Sequence, residues 1–256
     1  GFFSSLSLGW SYGTGSSYLL SISPEKARVL SAGVEYTASW LGSYTFDDDT
    51  GDQLPFDQLQ VSAQWREYRS LPWLANHVFA FKLAGGATLG DHFRYGSFRL
   101  GGSYSENGVT LVPEEFRSLR GFYYGADSGE WYWLGSGEYR FPIWQVDRGF
   151  GALPVFVRSV SGTLLVDAGN AFDDLEGAGL SNTLVGVGGE LNVSLVVGWG
   201  GGLDARLGYA FSPYGGGISF GDLGGGYLEL GSRDRKSTRL NQSPCNLVCR
   251  LLLEKK

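Results

Sequence analysis

The chain has 256 residues, of which 41 are glycine, 15% are aromatic and only 18% are charged, with a net charge of −6. Glycine is more than twice its usual share of about 7%. The aromatic and aliphatic content excludes a disordered polymer. No apolar run approaches the roughly 18 residues of a membrane helix, and the acidic balance argues against a nucleic-acid partner.

In chain order the sequence predicts strands, because apolar and polar residues alternate with period two. Residues 2–12 and 17–23 read as two strands or one interrupted strand. In 29–41, Leu30, Ala32, Val34, Tyr36, Ala38 and Trp40 share one face. Asp47–Leu54, with Asp47, Asp48, Asp49 and Asp52, reads as a solvated outer loop, since the spacing of a calcium loop is absent. A strand over 57–68, a short turn at Leu71–Asn76 and a very long connection over 91–130 follow. Residues 131–141 alternate again, and 142–153 reads as a turn. A strand over 155–169 comes next, then a connection over 173–182. In 184–197, Val185, Val187, Leu191, Val193, Leu195 and Val197 oppose Gly186, Gly188, Glu190, Asn192 and Ser194. Leu203, Ala205, Leu207, Tyr209 and Phe211 repeat the pattern, and 226–231 is a short glycine-rich strand. The expected total is eight or nine strands.

Two architectures use such strands. A soluble sandwich binder buries the apolar face between two sheets. A membrane barrel turns that face to lipid and keeps the polar face in the lumen. The alternating runs are longer than the five or six residues typical of soluble strands. Aromatics such as Trp10, Tyr12, Trp131, Trp133, Tyr209 and Phe211 fall near strand ends, as interfacial girdles do. The other face is rich in glycine, serine, glutamine and charge. The expected fold is therefore all-β, an antiparallel transmembrane β-barrel domain over residues 1–231.

Residues 232–256 differ in kind. They hold both cysteines, Cys245 and Cys249, and none of the glycine or aromatic residues, and they are basic where the rest of the chain is acidic. Arg235-Lys236-Ser237-Thr238-Arg239-Leu240-Asn241 looks like translated sequencing-adapter read-through. The alternative is a genuine basic tail. The segment is expected to be non-native or disordered and to lie outside the fold.

No constellation for covalent catalysis is apparent. His77 and His92 have no metal-ligand spacing, and the glycine-rich stretches open no helix that would cradle a phosphate. The expectation is no catalytic residue, no metal and no cofactor. The charges instead suggest a structural site. Glu138 and Asp167 lie on the polar faces of neighbouring predicted strands, so both point into the lumen. A guanidinium between two carboxylates removes their repulsion, and Arg120 in the long connection can supply it in a bidentate way. Gly121 lets the backbone turn tightly, and Phe122 can pack on lumen side chains. The alternatives are a solvated Arg120 with Glu138 paired to Arg140, or Arg117 in the same place.

The ordered motifs carry a resemblance. Phe98-Arg99-Leu100-Gly101-Gly102, then Leu119-Arg120-Gly121-Phe122, then Gly137-Glu138-Tyr139-Arg140-Phe141-Pro142, and Val166-Asp167-Ala168-Gly169-Asn170-Ala171-Phe172, resemble the BamA–TamA superfamily of outer-membrane assembly barrels (bacterial surface antigen family). Leu119 stands where the family usually has Val or Ile, and residues 103–119 separate two motifs that usually lie closer. The resemblance implies a sixteen-stranded barrel of the bacterial cell outer membrane, with this chain as about its last nine strands. It implies a lumen-folding loop in which Leu119, Arg120, Gly121 and Phe122 form the motif and Glu138 and Asp167 are acidic partners. It further implies outer-membrane protein insertion or polypeptide translocation through a weakly paired strand seam. The implied partners are the lipid bilayer, unfolded outer-membrane or secreted polypeptides, and accessory assembly proteins. Other readings are a passive pore, or a barrel anchoring an upstream soluble hydrolase or propeller.

Overall fold

The computed structural model describes residues 1–16, 21–47, 51–91, 98–101, 109–110, 119–123, 125–149, 155–174, 177–197, 201–214, 224–233 and 246–255. Asp48, Asp49, His92, Gly102, Arg117, Cys245 and the segment 235–241 lie outside the described residues. In chain order the strands are β1 (Phe2–Ser16), β2 (Lys26–Thr37), β3 (Tyr44–Phe46), β4 (Gln53–Pro55), β5 (Gln58–Ser70), β6 (Val78–Gly90), β7 (Phe98–Leu100), β8 (Val109–Thr110), β9 (Asp127–Gly129), β10 (Trp131–Gly149), β11 (Val155–Phe172), β12 (Leu184–Val197), β13 (Gly201–Tyr214), β14 (Gly224–Arg233) and β15 (Asn246–Lys255). Two single-turn 3-10 segments, Ser39–Leu41 and Leu180–Asn182, are the helical elements among the described residues.

The long strands form one antiparallel sheet in the order β15-β1-β2-β5-β6-β10-β11-β12-β13-β14. The sheet is not closed on itself: beyond β14 the described residues supply only a two-residue parallel pairing to β8. β7 and β9 make a separate two-stranded sheet. The strand ends Ser16, Ser70, Gly149 and Val197, each followed by a shorter connection in the sequence, lie at one end of the long strands. Thr37, Gly90, Phe172 and Tyr214, followed for the most part by longer ones, lie at the other.

Alternation sorts residues between the two faces of this sheet. Leu8, Trp10, Val34, Val61, Trp65, Phe81, Leu83, Leu164, Val166, Leu207 and Tyr209 all point to the exposed face. Gln64, Thr88, Thr163, Asp167 and Ser212 are buried on the opposite face. The arrangement inverts that of a soluble sandwich, whose apolar face would be covered by a second sheet. The core is instead a compact cluster on the polar side. Phe98, Leu100, Leu119 and Phe122 of the long connection pack there on Ala84, Tyr132, Leu134, Ala171 and Leu184 of the wall.

Three boundaries differ from the sequence reading. First, β1 is one strand through Ser16, and residues 21–23 are not in a strand. Second, the expected turn over 142–153 is strand as far as Gly149, and pairing with β11 continues to Gly149↔Phe156. Its register shifts between Pro142 and Trp144 and again between Gln145 and Arg148. Proline donates no ladder hydrogen bond and is tolerated at such bulges, which also break the parity of the pattern. Third, the tail expected outside the fold contributes β15, paired with β1 from Phe2↔Lys255 to Ser11↔Asn246. An edge strand with unpaired N–H and C=O groups templates an added strand in this way.

Candidate functional site: an arginine-anchored loop on the polar wall

The long connection returns over the polar face of the sheet, and small residues decide how closely it approaches. Gly121 has φ +96°, a left-handed conformation that favours glycine, and sits against the backbone of Phe211. A Cβ at Gly186 of β12 would overlap the Arg120 carbonyl oxygen, so glycine on the wall is what lets the loop backbone touch it. The Leu119 N–H donates to the Gly101 carbonyl at 2.6 Å. The β7/β9 strand pair is fixed to the wall as well: the Phe98 and Tyr132 ring centroids lie 4.5 Å apart. The Asp127 carboxylate accepts the Ala171 N–H at 2.8 Å. Leu100 and Leu119 are fully buried. Burial of each such side chain contributes roughly 1.5–3 kcal/mol.

These anchors deliver Arg120 to three neighbouring strands. Its Nε donates to Asp167 Oδ2 at 2.7 Å and its Nη2 to Asp167 Oδ1 at 2.8 Å, a two-pronged pair on β11. Its Nη1 lies 2.7 Å from Glu138 Oε1 on β10 and 3.0 Å from Glu190 Oε1 on β12. Its backbone N–H also donates to Asp167, at 3.1 Å. Ser136 Oγ accepts from Arg120 Nη2 at 2.9 Å and donates to Asp167 Oδ1 at 2.5 Å. Asp167 has no exposed side-chain surface. Glu138 is shared: its Oε2 accepts from Arg140 Nε at 2.9 Å and Nη2 at 2.6 Å, and the Arg140 guanidinium lies 5.5 Å from the Tyr68 ring centroid. Burial by itself lowers the Arg120 pKa. The Asp167 hydrogen bonds and charge, together with Glu138 and Glu190, outweigh it and hold the group well above its ordinary value.

The structure thus brings together Arg120, Glu138 and Asp167, and packs Leu119 and Phe122 beneath them. Pairing of Glu138 with Arg140, weighed as an alternative to the Arg120 bridge, coexists with it. Glu190, Ser136 and Gly186 belong to the site and were not singled out from the sequence. Glu190 carried a signal, as the carboxylate on the polar parity of 184–197. His77 lies apart, at the short-connection end, with Nδ1 2.7 Å from Tyr139 Oη. The Arg120 cluster holds a charge network and a packed loop but no nucleophile–base pair. It can hold a segment on the wall. A scan against protein-family models gave no match for this chain, and a search of the curated proteins gave none either.

Proposed function

We propose that the chain forms part of a bacterial outer-membrane β-barrel that inserts outer-membrane proteins or translocates polypeptide, as its motif resemblance to the BamA–TamA superfamily implies. The observation that carries this reading is the Arg120 lock: a long loop tied to acidic residues on a polar wall whose other face is apolar and exposed. Strands of 10–19 residues rise about 3.3 Å per residue, enough to cross an apolar band of about 25 Å. An unclosed sheet of ten long strands, nine of them within residues 1–233, is what a segment of a larger barrel looks like. The β14 edge, which beyond β13 meets only the two-residue β8 among the described residues, supplies a means of templating a client by strand addition. The chain's own part in that process is mechanical: wall, plug and edge, with no bond made or broken.

The test is reconstitution of the chain in vesicles, followed by the folding of a small urea-unfolded outer-membrane barrel. Acceleration over protein-free vesicles supports the reading. Steady ion conductance without acceleration replaces it with a passive pore. A chain that stays soluble without detergent overturns the membrane placement itself.

A further inference from the structure

On β1, β2, β5 and β6, the charged residues of the apolar outward face are Lys26, Arg28, Glu67 and Arg69, all at the short-connection rim. Lys26 and Arg69 are register partners, side by side on one face. Like charges directly opposite each other destabilise a strand pair. The next rung pairs Arg28 with Glu67, and Glu67 also binds Arg69: Arg28 Nε and Arg69 Nη2 each lie 2.6 Å from its carboxylate. Glu67 therefore holds two guanidiniums in place while offsetting only one of three cations. A guanidinium has five N–H donors, of which Glu67 engages two from Arg28 and one from Arg69. Both arginines stay accessible, with 47% and 64% of their side-chain surfaces exposed. One rung further in, Leu30 pairs with Tyr12 on one side and Trp65 on the other. Aromatic rings between a charged rim and an aliphatic band mark the level of lipid headgroups.

We propose that Lys26, Arg28 and Arg69 form a binding site for the phosphate of an anionic phospholipid in the leaflet at the short-connection end. The headgroup sits between Lys26 and Arg69, removing their repulsion, and its acyl chains run along Trp65 and Leu30. This rests on the membrane reading above. The site selects a lipid phosphate over a soluble one because its cations stand directly above an apolar wall.

The test uses the full chain in phosphatidylcholine vesicles. A small fraction of either phosphatidylglycerol or phosphatidylcholine carries a nitroxide near the headgroup. Quenching of Trp65 is read as the difference between the natural chain and Trp65→Phe. The expected result is about fivefold stronger local enrichment of the phosphatidylglycerol label, the factor one basic residue near an anionic surface supplies. It is lost in the Lys26→Gln/Arg69→Gln double variant, which keeps the Arg28–Glu67 pair. It also fades in the natural chain as salt rises past about 0.15 M. Equal quenching by the two labels, or selection surviving in the double variant, overturns the site and leaves the membrane reading standing. Quenching by neither label overturns both.

Discussion

Arg120 is one cation set among three carboxylates, so its removal leaves more behind than a missing contact. Asp167, with no exposed side-chain surface, would lose both guanidinium bonds. Breaking one side of a buried pair costs about 3–5 kcal/mol, less where water reaches the site. Arg120→Ala should therefore lower the melting transition and open the 91–130 connection to protease. Unchanged melting and unchanged cleavage would rule the lock out. Gly186→Ala should loosen the same loop with every charge retained, because its Cβ displaces the Arg120 carbonyl; limited proteolysis reads this directly. A separate clasp fixes the 38–57 connection, where Asp57 accepts the Ser39 N–H at 2.9 Å and its hydroxyl at 2.6 Å. The Ser39 hydroxyl, and then its N–H, hold the Asp57 pKa below the ordinary aspartate value. The clasp's contribution is thus fully present above the unfolded-chain pKa near 3.9 and is lost as pH falls through the lower folded value. The protection of the Ser39 amide, relative to the exchange rate of an unfolded chain at the same pH, should fall over that acid window and stay level from pH 5 to 7. At this scale the sequence was partly legible. Strand parity placed Glu138 and Asp167 on one wall. The third carboxylate depends on how far Arg120 reaches sideways, which periodicity along a single strand does not encode.

Strands were legible wherever alternation ran unbroken, as in β12 and β13. They were not where bulges reset the parity. The far part of β10, residues 142–149, was hidden because Pro142 and the two register shifts interrupt its pattern. β7 and β9 were hidden for another reason: three residues each are too few to show a period, and their strand form comes from packing Phe98 and Leu100 into the loop core. Alternation also makes a prediction for substitutions on the two faces. Val166, 52% exposed near the middle of the outward face, should tolerate arginine poorly in a bilayer, at about 2–4 kcal/mol. Gln60 on the inward parity of β5 should accept it with little effect. Refolding yields of Val166→Arg and Gln60→Arg in vesicles compare the two, and equal yields would argue that no lipid meets the apolar face.

For the molecule as a whole, the sheet has two ends with different fates. β1 is covered by β15 over ten register pairs, whereas the edge of β14 away from β13 meets only β8 among the described residues. Removing residues 246–256 should leave the β1 edge open and increase self-association, because exposed ladders pair with other chains. Cross-linking in detergent would show dimers rising with truncation, and an unchanged monomer would mean the edge is protected some other way. The all-β character of the molecule followed from pattern. Capture of the tail by β1 did not, since strand addition depends on which edge is open and not on local propensity. The Arg120 cluster also has a temporal side. The arginine precedes its acidic partners in the chain, and those partners stand on β10, β11 and β12. The lock is incomplete until two later hairpins have paired. During folding the loop should thus remain protease-sensitive after β10–β12 have gained amide protection, and close only then. That ordering keeps the passage beside the polar wall open until the wall itself is built.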